Sequence, residues 1–89
     1  MPEGTIEQMR ERLQALQPLL LSIDDDSAKH AGHEGAKGGG GHYALTIVSP
    51  KSDGQTTVAR HRMIYVALGD LMQREIHALS IRAFAPGEF

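Results

Sequence analysis

Residues 60–81 read RHRMIYVALGDLMQREIHALSI, and a change of period inside this stretch decides the fold. From Met63 to Met72 apolar residues recur at the three- and four-residue steps of a helix. Ile64, Ala67, Leu68, Leu71 and Met72 fall on the side expected to be buried. Gly69 lies inside this predicted helix, at a cost of about 1 kcal/mol relative to alanine. From Ile76 the pattern becomes alternation, His77, Leu79 and Ile81 against Ala78, Ser80 and Arg82, which predicts a strand over 76–83. A histidine in such a strand is either a core filler or a ligand, so its neighbours matter.

Working backwards, Thr56 or Thr57 is placed to cap the helix, after a turn over 51–55 centred on Asp53-Gly54. Before it, His42 to Ser49 alternates Tyr43, Leu45 and Ile47 against His42, Ala44, Thr46 and Val48, and Pro50 closes the run. Leu19 to Ile23 predicts an earlier strand, antiparallel to that one and closed by the turn-favouring Asp24-Asp25-Asp26. At the start, Thr5-Ile6-Glu7-Gln8 matches a capping box. Ile6, Met9, Leu13 and Leu16 give a first helix one apolar stripe, ending near Gln17 ahead of Pro18. Pro86 and Glu88 start a last turn. The order is helix, strand, strand, helix, strand: an α+β domain with one small sheet carrying helices on one face.

The chain has 89 residues and 40% hydrophobic content, enough for one core and therefore one domain over 1–89. No apolar run reaches the roughly 18 to 20 residues of a membrane span, and Met1-Pro2-Glu3-Gly4 lacks signal-peptide character, so a soluble, cytoplasmic protein is expected. There is no cysteine, so any soft-metal site must take its sulfur from another molecule. With 9 basic and 11 acidic residues the net charge is −2, which disfavours a dedicated nucleic-acid binder.

Fifteen residues, 27–41, separate the first two strands and hold six of the ten glycines, where a plain hairpin needs two to five residues. His30 and His33 sit there at a spacing that can bring two imidazoles to one metal, although by spacing alone a solvated loop explains them better. Gly32-His33-Glu34-Gly35 spells the GXXG of nucleotide-clamping domains but lies between strands, not helices. The Lys37 and glycine cluster lacks the ending of a P-loop. Arg60, His61 and Arg62 place positive charge at a helix start, against the dipole, which suits an anionic partner and equally a solvated surface. A basic face for DNA would have to join them to Lys51 and Arg82. No nucleophile motif or paired-carboxylate site argues for an enzyme. Met9, Met63 and Met72 fit core positions, His42 reads as surface or packing, and His61 as exposed.

Taken together, SAKHAGH (27–33), HYALTIVS (42–49), RHRMIY (60–65), His77-Ala78-Leu79 and the Pro86-Gly87-Glu88-Phe89 ending resemble the BolA family, from Leu19 to the C-terminus. The resemblance implies an αββαβ(α) two-layer sandwich related to the class II KH arrangement. It implies pairing with a monothiol glutaredoxin around a shared [2Fe-2S] cluster. In such pairs the cluster is held by a glutaredoxin cysteine, the sulfur of glutathione, a histidine of the C-terminal strand and a histidine or cysteine of the loop between the first strands. On this chain those histidines are His77 and His30, with His33 the alternative loop ligand. The expected role is in iron-sulfur assembly, trafficking or iron sensing, without catalysis. Relatives described as transcriptional regulators supply the rival reading, in which the helix-turn-helix-like face around Arg60, His61, Arg62 and Lys51 contacts DNA. A homodimer of the free chain is a further possible partnership.

Overall fold

The computed structural model describes residues 4–26 and 41–89. Helix α1 (Thr5–Leu13) runs into a 3-10 turn (Gln14–Leu16) and is followed by strands β1 (Leu20–Asp25) and β2 (Gly41–Val48). A second 3-10 turn (Pro50–Ser52), helix α2 (Thr57–Leu68), the one-turn helix α3 (Leu71–Arg74), strand β3 (Ile76–Phe84) and a last 3-10 turn (Pro86–Glu88) complete the chain. The sheet order is β1-β2-β3. The β1/β2 pair is antiparallel, with Ile23 opposite Leu45, and the β2/β3 pair is parallel, with Leu45 opposite Ile81. The parallel pair requires the chain to cross from one end of the sheet to the other, and α2 and α3 make that crossing.

One face of the sheet carries the helices. Tyr43, Leu45 and Ile47 are buried as their alternation predicts, together with Ile23 and Ile76, against Met9 and Leu13 of α1, Ile64 and Leu68 of α2 and Leu71 of α3. Buried Ser49 closes the end of β2 over the first helix. Its hydroxyl donates to the Leu16 carbonyl at 2.5 Å and accepts from the Lys51 N–H at 3.1 Å, so a polar group inside the fold keeps its partners.

Several expectations are corrected. The capping box does not form. Gly4 is the N-cap, and Thr5, already helical, donates its hydroxyl to the Glu75 carboxylate at 3.2 Å. The α-helical part of the first helix stops at Leu13, and the remaining turn tightens to 3-10 before Gln17 adopts positive φ. The strand predicted over 19–23 is shifted: Leu19 is outside it and Asp24 and Asp25 are within it, paired with Ala44 and Tyr43. Turn propensity yields here to ladder hydrogen bonds, and charged residues on an edge strand discourage pairing with other chains. Gly69 does not lie inside a helix. It ends α2 at φ 56°, and a separate turn, α3, follows.

Arg60 fastens the C-terminus. Its Nε donates to the Gln55 carbonyl (2.9 Å) and Nη1 to the Ala83 carbonyl (3.0 Å). Nη1 and Nη2 together grip the Glu88 carboxylate at 2.6 and 2.9 Å. Glu88 also accepts the Ala85 N–H at 2.8 Å. The Arg60 hydrogen bonds, then the Ala85 N–H, draw the Glu88 carboxyl from its ordinary 4.5 down to about 2. A depressed carboxyl stabilises the fold above its unfolded pKa, and that contribution fades as pH falls from 4.5 through about 2. The stability gap between the natural chain and Glu88→Gln is therefore expected to be full at pH 7 and to close below pH 4.5. Urea titrations of both proteins across that range check it; a gap that does not change with pH would contradict the assignment.

Candidate metal centre

The site is made by an irregularity in the β2/β3 ladder. Gly41 pairs with Ile76 but His42 pairs with Ala78, so β3 carries one extra residue, His77. Such a bulge lets two successive residues share a face. Ile76 is buried and Leu79 packs partly against the core, although they are three residues apart, while His77 and Ala78 are both exposed. The simple alternation that groups His77 with Leu79 and Ile81 is thus corrected: His77 leaves the core face and stands on the open face of the sheet.

On that face it meets His42. Their ring centroids are 5.1 Å apart with planes tilted by 33°. His42 follows from β2's alternation, opposite in direction to Tyr43, and its carbonyl accepts the Asp26 N–H at 2.7 Å, which holds β2 to the end of β1. The Gly41 N–H donates to the Glu75 carbonyl at 2.9 Å and secures the other flank. Beside the rings, Asp26, His42, Tyr43, Ala78, Leu79 and Ser80 line a shallow hollow of about 260 Å³. Among the described residues no group of three or more histidines and carboxylates is placed to hold a metal, and the chain has no cysteine. Two imidazoles, whose nitrogens are borderline donors, therefore stand side by side on the open face of the sheet.

His30 and His33, the expected loop ligands, lie outside the described residues, as do the GXXG stretch and Lys37. His42, which the structure places beside His77, was not among the candidates read from the sequence. Its signal was present: apolar positions at 76, 79, 81 and 83 break the period of two once, between 76 and 79, and that break marks an extra residue at the histidine.

The basic residues do not gather. Arg60 is spent on Glu88 and two carbonyls, with its side chain 12% exposed. Arg62 is exposed on α2, His61 beside it is half-buried, and Lys51 is exposed in the 3-10 turn after β2. Arg82, opposite Thr46, lines a depression with Asp24 and Asp26 on the open face of the sheet. Elsewhere, Ala15, Leu16, Ala59, Met63, Val66 and Arg62 border an apolar groove of about 470 Å³ between the first helix and α2.

A three-stranded mixed sheet under helices, with His42 and His77 adjacent at a bulge, defines a small α+β domain. Comparison with known proteins gives its family. The model of BolA-like proteins matches residues 13–88, and the chain belongs to the BolA family. It is 41% identical over 90 residues to Protein BOLA1, chloroplastic, of Arabidopsis thaliana (97% of this chain, 56% of that protein). It is 31% identical over 84 residues to the DNA-binding transcriptional regulator BolA of Escherichia coli (93% of this chain, 77% of that protein). Among solved structures, the BolA domain of SufE1 from Arabidopsis thaliana superposes with a TM-score of 0.83 at 39% identity, covering all of both chains. The chain spans 56% of the plant BOLA1 and 23% of the plant SufE-like protein 1 that it matches. Among the described residues no helix is long and apolar enough to cross a membrane.

Proposed function

We propose that this chain is an accessory protein that pairs with a monothiol glutaredoxin and contributes histidine nitrogen, His77 first, to a [2Fe-2S] cluster shared with glutaredoxin and glutathione. The observation that carries the reading is the bulge at His77. It costs the sheet a regular ladder position and leaves facing solvent an imidazole that alternation counted back from Leu79 and Ile81 would have buried. An exposed histidine in a cysteine-free chain suits a centre whose soft sulfur ligands arrive with a partner. When bound, the cluster supplies one-electron chemistry, and nitrogen ligation raises its potential relative to an all-cysteine site.

Within this reading the chain's own residues bind and orient. The β2/β3 ladder and the Gly41 to Glu75 hydrogen bond fix His77, and the second nitrogen in this reading is that of His30 or His33. Helix α2 supplies a surface for the partner. Val58, Tyr65 and Val66 recur at helical spacing around Arg62 on its outer side, and Val66 is 76% exposed. Apolar side chains left in water along one stripe suit burial against another protein.

His77→Ala, mixed with a monothiol glutaredoxin and reconstituted anaerobically, is expected to lose the visible absorption and circular dichroism of the shared cluster. Wild-type spectra from that variant would overturn the reading.

Direct DNA recognition is the second reading, favoured by the likeness to the DNA-binding transcriptional regulator of Escherichia coli. We rank it lower because Arg60 is held inside the fold, and Arg62 and Arg82 sit on different layers, one on α2 and the other on the open sheet face. A strong phosphate footprint needs such charges on one surface.

A further inference from the structure

We infer that His42 is the second imidazole of a two-histidine site which, with His77, holds one borderline divalent transition-metal ion of the zinc type on this chain alone. Two observations meet here. The first is spacing. Two imidazoles bound to one tetrahedral ion through metal–nitrogen bonds of about 2.0 to 2.1 Å place their ring centres roughly 5 Å apart. His42 and His77 stand at 5.1 Å before any ion is present. The second is the bulge. Counted back from Leu79 the ladder would turn His77 to the core, whereas counted on from Gly41 opposite Ile76 it lies on the face of His42, and the extra residue lets both registers hold with the two rings on the open face. The bulge thus leaves His77 beside His42 on the open face while Ile76 and Leu79 both keep to the core side.

The donor set fixes the chemistry. Imidazole nitrogens without thiolate or clustered carboxylate prefer Zn²⁺, Ni²⁺ or Cu²⁺ over Mg²⁺ and Ca²⁺. Two protein ligands leave two positions of a tetrahedron on the solvent side, open to water or to a donor from another molecule. Both strands are anchored on either side of the pair, at Asp26 to His42 and at Gly41 to Glu75, so little ordering is needed on binding.

This site shares His77 with the cluster reading, but its test involves neither cluster nor glutaredoxin, and the two can fail separately. The full-length chain, freed of any affinity tag, is titrated with Co²⁺ as the spectroscopic probe and then with Zn²⁺. One equivalent of Co²⁺ is expected to give ligand-field bands that Zn²⁺ abolishes. His42→Gln and His77→Gln are each expected to weaken binding about tenfold or more, while His30→Gln and His33→Gln leave it unchanged. In the natural chain, Zn²⁺ should shift the ring-proton resonances of both His42 and His77, a readout that does not depend on any variant folding. The inference is overturned if the His42 ring resonances do not respond, if His42→Gln binds like the natural chain, or if binding disappears with His30→Gln or His33→Gln instead.

Discussion

Leu45→Ala is expected to lower the folding free energy by about 2 to 5 kcal/mol, while Val66→Ala changes it by no more than about 0.5 kcal/mol. Both residues are branched aliphatics within elements whose type, strand or helix, follows from periodicity. Their difference lies wholly in what surrounds them. Leu45 is at the middle of the central strand, 1% exposed, between Ile23 on β1 and Ile81 on β3, under Ile64 and Leu68 of α2. Truncating it removes apolar contacts and opens a cavity that strands paired on both sides cannot collapse around. Val66 is already in water, so its truncation forfeits almost no burial.

At about 0.05 to 0.15 kcal/mol per residue, a domain of 89 residues has some 4 to 13 kcal/mol to lose. Leu45→Ala therefore removes a large share, and at roughly 4 to 8 °C per kcal/mol its melting temperature should fall by about 10 °C or more. Urea unfolding of the three proteins checks the pair. Comparable losses for both variants would mean that α2's outer side is buried in the protein as it exists in solution. If glutaredoxin pairing is instead weakened only by Val66→Ala, the exposed stripe acts in recognition and not in folding.

Much of this architecture was legible in the chain. The core face of β2, the Thr56 cap, whose hydroxyl accepts the Ala59 N–H at 3.1 Å, and the helix-strand order follow from local patterns that tertiary contacts reinforce. What was not legible depended on partners distant in sequence. Asp24 and Asp25 carry strong turn propensity, and only the presence of β2 alongside makes them strand. Arg60 reads as a free cation at a helix start until Glu88, 28 residues later, closes on it. The site divides in the same way. His77 was recognisable from motif, but its face was misassigned, because one inserted residue reverses parity for everything on one side of it. His42 stands out as a neighbour of His77 once both rings are placed on the open face.

Gly69→Ala is expected to destabilise the protein by about 1 to 3 kcal/mol, and the sign of this effect is what makes it informative. Were Gly69 inside a continuous helix, as its position between Leu68 and Asp70 suggests, alanine would add helix propensity and stabilise by about 1 kcal/mol. In the structure it has φ 56° and ψ −130°, outside even the left-handed helical region and essentially confined to glycine. That geometry ends α2 and starts α3 in a new direction, which is how Leu68 and Leu71 both reach the core. A Cβ there would also come within 3.1 Å of Arg12 Nη1. This nitrogen caps the end of α2 through the Leu68 carbonyl (2.8 Å) and pairs with Asp70 (2.6 Å), whose carboxyl it holds below the usual range. The two penalties are separable. In an Arg12→Ala background the crowding is relieved but the backbone strain persists, so the cost of Gly69→Ala should shrink without vanishing. Denaturant titrations of the two single variants, the double variant and the natural chain measure it. A stabilising Gly69→Ala would mean that α2 and α3 are one helix, whereas complete loss of the penalty without Arg12 would assign the effect to crowding alone.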